Sequence, residues 1–198
     1  MDIYREISRY VHFNGTANIL ISGTTCSGKT TLANRVRDCL ADHISVTVVS
    51  QDDYFRNLRD IPYTSNGLLM DSPEAFCQEE FKEDVKKLLA NSVVKMPNYN
   101  IPTNTRIDKK KVVQKSKVNI FEGLHVIDFL SGFMPDYISI YLDTDMETCL
   151  SRRIQRDTSN LHVTEDVVYK YWNNCIKPVS ENCILPQKDY ADYVLWRW

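Results

Sequence analysis

The feature that most restricts this chain is the octapeptide Gly23-Thr24-Thr25-Cys26-Ser27-Gly28-Lys29-Thr30, a complete G-x-x-x-x-G-K-[ST]. It follows a short apolar run, residues 18–22, and precedes residues 29–41, where Leu32, Val36 and Leu40 recur at helical spacing. Strand, glycine loop and helix in that order build a cradle for phosphate. The glycines let the backbone curl until successive N–H groups face one concavity, and the helix N-terminus adds positive potential. Lys29 then reaches the terminal phosphates and Thr30 offers a hydroxyl to Mg²⁺. The loop alone does not say what becomes of a bound nucleotide, because switches, motors, ATPases and small-molecule kinases share it.

Downstream, residues 45–50 (SVTVVS) are β-branched and almost continuously apolar, the pattern of a strand buried on both faces of a parallel sheet. Residues 51–71 are polar and turn-rich, longer than a connector needs, and mark a candidate functional loop. Ser72-Pro73-Glu74 reads as a helix start, with Ser as N-cap and Pro at the first helical position, leading into residues 75–89. Residues 92–117 interrupt the alternation, and their apolar flanks around a polar middle predict a long hairpin projecting from the sheet. Residues 118–121 and 137–142 read as buried strands, 146–157 and 164–176 as helices, and 193–196 as a last strand. Strands alternating with helices predict an α/β fold with a mainly parallel sheet, and no repeat or linker divides residues 1–198.

With 24 Lys+Arg against 26 Asp+Glu the net charge is −2, so no global positive field collects nucleic acid or anionic membrane. The run Lys109-Lys110-Lys111, with Lys115 and Lys117, reads as a solvated hairpin edge, RNA contact being the alternative. No stretch approaches the roughly 18 uncharged apolar residues of a membrane span, and residues 1–13 lack the apolar centre of an export signal. A cytoplasmic protein is expected. The 6 cysteines are scattered without a C-x-x-C pair, which predicts reduced, mostly buried thiols rather than a disulfide or zinc framework.

The acidic residues beyond the loop narrow the chemistry. Asp52 and Asp53 follow the second strand directly, which puts a carboxylate at the carboxyl end of a parallel strand beside the phosphate loop. Such a group can take a proton from an attacking hydroxyl or help hold Mg²⁺, although capping a turn is the plainer alternative. Glu122 ends the next apolar strand, where a second acidic group near the metal would stand, or simply a solvated strand end. The base-reading Asn-Lys-x-Asp of GTP switches is missing from the sequence, and 198 residues leave little room for a motor.

Several stretches resemble the uridine kinase family of nucleoside kinases, with nicotinamide riboside kinase as a close relative. They are ISGTTCSGKTTL, VSQDDYF, DSPEAF, MPNY, FEG, LDTD, LSRRIQRD, KP and LPQKDYADYV, spread over residues 18–194. The resemblance implies a three-layer P-loop sandwich of the nucleoside monophosphate kinase type, with a mainly parallel sheet, a projecting β-hairpin (about residues 92–117) and a helical lid (about 152–166). It implies ATP and Mg²⁺ as cofactors, and a small-molecule nucleoside as partner, with homo-oligomerisation left open. ATP would lie on Gly23, Thr24, Thr25, Cys26, Ser27, Gly28, Lys29, Thr30 and Thr31, with Arg152. Asp52 becomes the base that activates the nucleoside 5′-hydroxyl, acting with Lys29, Arg153 and Arg156. Thr30, Glu122 and Asp52 surround the metal. Asp71 matches the carboxylate that holds the ribose 2′- and 3′-hydroxyls, and Tyr99 the aromatic residue lying against the base. Arg106 and Arg153 complete the acceptor side. The plainer alternatives are hairpin packing for Tyr99 and cationic decoration of a helix end for the arginines. On helical spacing Arg152 and Arg156 share a face while Arg153 turns partly away.

Two stretches depart from the family pattern. Residues 158–163 (TSNLHV) lack the Arg-Gly-Arg element of the lid, and Tyr99-Asn100-Ile101 with Asn104 replaces Tyr-Asp-Phe and its base-contacting His. Asn104 still offers a donor and an acceptor, so base recognition is altered. The motifs favour a kinase for uridine or cytidine, with nicotinamide riboside or another acceptor second. The paired Asp52-Asp53 leans toward nicotinamide riboside kinases. The alternative from a different class is a nucleotide-binding protein with little turnover.

Overall fold

The computed structural model describes residues 3–91, 93–101 and 103–196; Ser92, where the hairpin was expected to open, and Trp198 lie outside them. Five strands, β1 (Ala17–Gly23), β2 (Val46–Ser50), β7 (Val118–Glu122), β8 (Tyr137–Leu142) and β9 (Tyr193–Leu195), form one parallel sheet in the order β2-β7-β1-β8-β9. Side chains alternate across it. Ile19, Ile21, Ile120 and Ile140 face helices α1 (Ile3–Asn14) and α2 (Lys29–Leu40). Leu20, Phe121 and Tyr141 face α3 (Gln78–Asn91) and α4 (Val126–Leu130). A third cluster, Cys149, Trp172 and Ile176, joins α5 (Met146–Leu161) to α6 (Glu165–Tyr171) and the wide helical turns after it. The remaining strands lie apart: β3 (Tyr63–Thr64) pairs with β4 (Gly67–Leu68), and β5 (Val93–Asn100) with β6 (Thr105–Gln114). The short α7 (Lys177–Val179) completes the helices among the described residues.

The structure corrects several expectations. Strand β2 is an edge strand with Val49 alone fully buried, because only β7 pairs with it. The helix expected from Ser72-Pro73 does not run through to residue 89. Pro73–Ala75 make a single tight turn, Phe76 extends to bridge Phe55, and the Cys77 N–H goes to the Tyr54 carbonyl before α3 begins. Burial of Phe76 against Phe55, rings stacked at 4.3 Å, outweighs local helix preference. Helix α1, unread in the sequence, docks Ile3, Ile7 and Val11 onto the sheet. The stretch expected to form a lid, about residues 152–166, is the distal half of α5, a left-handed turn at His162 and the start of α6. All six thiols are free, but only Cys149 and Cys175 are fully buried. Among the described residues no helix is long and apolar enough to cross a membrane.

Candidate active site

The carboxyl ends of β1, β2, β7 and β8 converge where the strand order reverses, the place at which open parallel sheets bind ligands. Register sets the geometry there. Glu122 lies level with Ser50 on one side and Ile21 on the other, so the loop after β1 and the turn after β2 emerge on either side of its carboxylate.

The loop after β1 is a curled cradle. Gly28 takes a left-handed conformation (φ 104°) at the entry to α2, and a Cβ on Gly23 would lie 2.8 Å from the Leu142 carbonyl and 2.9 Å from Ser27 Oγ. The Cys26 and Ser27 carbonyls turn outward, accepting bonds from Arg152 (3.2 and 3.3 Å), and Thr144 also reaches Ser27 O (3.0 Å). Across the planar peptide, the Gly28 N–H therefore points the other way, toward the inside of the loop. Lys29, buried, donates to the Thr24 carbonyl at 2.7 Å, and Ser27 Oγ is buried without a partner among the described residues. Buried polar atoms are seldom left unpaired, so Ser27 and the cradle fit a phosphate chain. Arg152 supports the outer side of the loop rather than its interior.

Beyond β2, Ser50 Oγ accepts the Asp52 N–H and caps a tight turn, residues Gln51–Tyr54, that carries Asp52. Burial first, then the charge of Glu122, pushes the Asp52 carboxyl from 3.8 up to about 7, with Lys29 pulling the other way. Thr30, Glu122 and Asp52 present oxygen donors, the hard ligands Mg²⁺ prefers. Among the described residues no three His, Cys, Asp or Glu side chains gather into a protein-only metal site. Mg²⁺ is commonly held by one or two carboxylates together with substrate phosphates.

Asp71 is 6% exposed. Its Oδ1 lies 3.7 Å from Arg153 Nη1, and its Oδ2 is buried with no partner among the described residues. Its backbone carbonyl accepts from His125 Nε2 at 2.7 Å, which assigns the Nε2–H tautomer, since a carbonyl only accepts. Arg153 does not turn away. The buried face of α5 is Cys149, Arg153 and Asp157, and the guanidinium bonds Thr25 Oγ1 (3.0 Å) and Asp157 Oδ2 (3.1 Å) beneath the Tyr171 ring. Asp157 also takes Arg156 Nε at 2.7 Å, so one buried carboxylate orients both arginines.

The hairpin residues are less concentrated. The Tyr99 ring packs on Phe55 (5.3 Å between centroids), and its buried hydroxyl has no partner among the described residues. Arg106 is held by Glu80 at 2.6 Å, on the α3 side. Asn104, left-handed at the hairpin tip, lines a shallow groove with residues 57–59. The structure thus gathers Lys29, Asp52, Asp71, Glu122 and Arg153, and sets Asn104 and Arg106 toward the periphery. Asp157, Tyr171 and His125 escaped the sequence reading. Only Asp157 left a trace there, four residues after Arg153.

The model of the phosphoribulokinase/uridine kinase family matches residues 18–198. Over 181 residues, 90% of this chain and 87% of the other, the sequence is 27% identical to a uridine kinase of Ureaplasma urealyticum. A uridine kinase of Lactobacillus helveticus is 28% identical over 178 residues, covering 88% and 83% of the two chains. In structure the chain resembles a Bacillus stearothermophilus protein described as a possible uridine kinase, with a TM-score of 0.67, 20% identity, and coverage of 96% and 99%. That likeness is one of fold.

Proposed function

Because this chain belongs to the phosphoribulokinase/uridine kinase family and is a phosphotransferase built on the P-loop kinase fold, we propose that it phosphorylates the 5′-hydroxyl of a ribonucleoside, uridine or cytidine, at the expense of ATP. The observation that carries this reading is Asp71, a buried carboxylate with one oxygen unpartnered beside the phosphate-side arginine. Two adjacent ribose hydroxyls are donors that one acceptor-only carboxylate satisfies together.

The residues divide the reaction between them. Lys29 exchanges the Thr24 carbonyl for phosphate oxygens, and Arg153, pinned to Thr25, faces the charge that spreads over the transferring group. Thr30 and Glu122 would hold Mg²⁺, which when bound neutralises charge on the phosphates. Asp52, whose carboxyl is raised by burial and by the Glu122 charge, accepts the hydroxyl proton as the acceptor attacks. The relatives named uridine kinase support uridine as the acceptor, which would give the chain a role in pyrimidine salvage.

A phosphotransfer assay with Mg·ATP against uridine, cytidine, nicotinamide riboside and the 2′-deoxy analogues tests the assignment. Turnover of the pyrimidine ribonucleosides with weak use of the deoxy forms is expected. ATP binding without product from any acceptor would overturn it, and a dominant rate with nicotinamide riboside would move the acceptor.

A further inference from the structure

Two sequence features stand outside that chemistry: the second aspartate of Asp52-Asp53 and the basic run Lys109-Lys110-Lys111. In the folded chain they meet. Lys111 Nζ lies 2.6 and 2.8 Å from the two Asp53 oxygens, and the Tyr99 N–H donates to Asp53 Oδ1 at 3.3 Å. Tyr99 belongs to β5 and Lys111 to β6, so a single carboxylate grips both strands of the hairpin.

We propose that Asp53 is a positioning residue that docks the hairpin onto the catalytic turn, setting where Tyr99 stands for the nucleoside; this rests on the nucleoside kinase reading. Strands β5 and β6 form a sheet of their own, with no backbone ladder to the central sheet. Side chains hold the hairpin in place: Val94 and Met96 in the core, Thr47 Oγ1 on the Gln114 carbonyl and, nearer Tyr99, the Asp53 contacts, the Phe55–Tyr99 packing and the Arg106–Glu80 pair.

The ladder inside the hairpin is also interrupted next to Tyr99. Met96 pairs with Lys111 but Asn98 pairs with Ile107, leaving residues 108–110 opposite Pro97 alone. Pro97 has no N–H to keep regular pairing, and a bulge forms. The bulge leaves Tyr99 dependent on an outside anchor, and Asp53 supplies it on the same four-residue turn as Asp52. The doubled aspartate thus splits its work, one carboxylate for the proton and one for the hairpin. Of the three lysines, Lys111 alone has that role, while Lys109 and Lys110 are exposed. The Asp53 side chain is 16% exposed and the Lys111 side chain 46%, which limits the pair to a modest effect.

The test is a double-mutant cycle read as separate KM values for uridine and ATP. Asp53→Asn keeps an acceptor for the Tyr99 N–H and removes the charge, and Lys111→Met keeps the stem and removes the cation. Each should raise the uridine KM about fivefold with the ATP KM within about twofold, and the double variant should be no worse than the worse single. A merely structural role lowers the active fraction and hence kcat, but leaves the uridine KM in place. Unchanged uridine KM in both singles, or additive effects, overturns the proposal. Hydrogen exchange of the hairpin amides in Asp53→Ala, which loses both contacts, needs no turnover and should be faster than in the unaltered protein. Equal exchange also overturns the proposal. Faster exchange in a protein that phosphorylates no nucleoside would instead sink the kinase assignment and leave the docking role standing.

Discussion

Replacing Asp52 by Asn should cost activity and add stability, and the stability gain should depend on pH. Folding moves this carboxyl from 3.8 to about 7, a displacement worth roughly 4 kcal/mol. The folded value is the higher one. Below pH 3.8 both states hold the proton; between 3.8 and about 7 the unfolded chain releases it while the folded chain keeps it, so stability falls with rising pH through that window and levels off above it. The Asn side chain does not titrate. Asp52→Asn and the unaltered protein should therefore melt together near pH 4, while by pH 8 the variant should melt roughly 10 °C higher. At pH 8 its kcat should fall by a factor of about 10² to 10⁴, the usual worth of a positioned base, with ATP affinity held within about threefold. Thermal melts at four pH values and steady-state kinetics are sufficient. A kcat within tenfold of the unaltered protein places the base elsewhere. A melting difference that is constant with pH, or that favours Asp52 at high pH, refutes the burial argument itself.

The pH profile carries a second expectation. kcat/KM for the nucleoside should rise with pH as Asp52 gives up its proton, and in the metal-free protein Glu122→Gln should move the Asp52 titration, followed by carboxyl NMR, to lower pH, because the Glu122 charge helps hold the Asp52 proton on. Asp71→Ala should raise the ribonucleoside KM by about thirtyfold or more and erase preference over the 2′-deoxy analogue; an unaltered KM removes Asp71 from the site. Arg153→Lys should lower kcat about a hundredfold and destabilise the fold by about 1 to 2 kcal/mol in urea melts, since one ammonium cannot span Thr25, Asp71 and Asp157 as the planar fork does.

How much was legible beforehand follows from how local each feature is. The loop at residues 23–30 lay between strand and helix as its spacing required, because a phosphate cradle is a backbone conformation encoded by contiguous residues. The hairpin was legible for the same reason, its two strands being neighbours in the chain. Helix α1 could have been read from Ile3, Ile7 and Val11, three apolar residues four apart in a polar segment. The break at Phe76 could not, because its cause is the Phe55 ring some twenty positions earlier. Nor could the inward turn of Arg153, since helical spacing says which residues share a face but not which face the rest of the protein covers.

The sequence by itself determined a phosphate loop on a parallel α/β sheet and a small set of carboxylates and arginines fit for phosphoryl transfer. Tertiary structure alone decided which of them meet. Asp52, Asp71 and Glu122 come from separate segments, and only the register of β2, β7 and β1 brings Asp52 close enough to Glu122 and deep enough in the protein to lift its carboxyl to about 7. The same holds for the paired aspartates, alike in sequence and set apart by surroundings, one beside Glu122 and Lys29 and the other against Lys111 and the Tyr99 amide. Desolvation and Coulomb interaction depend on distances between residues far apart in the chain, and no local pattern encodes those distances.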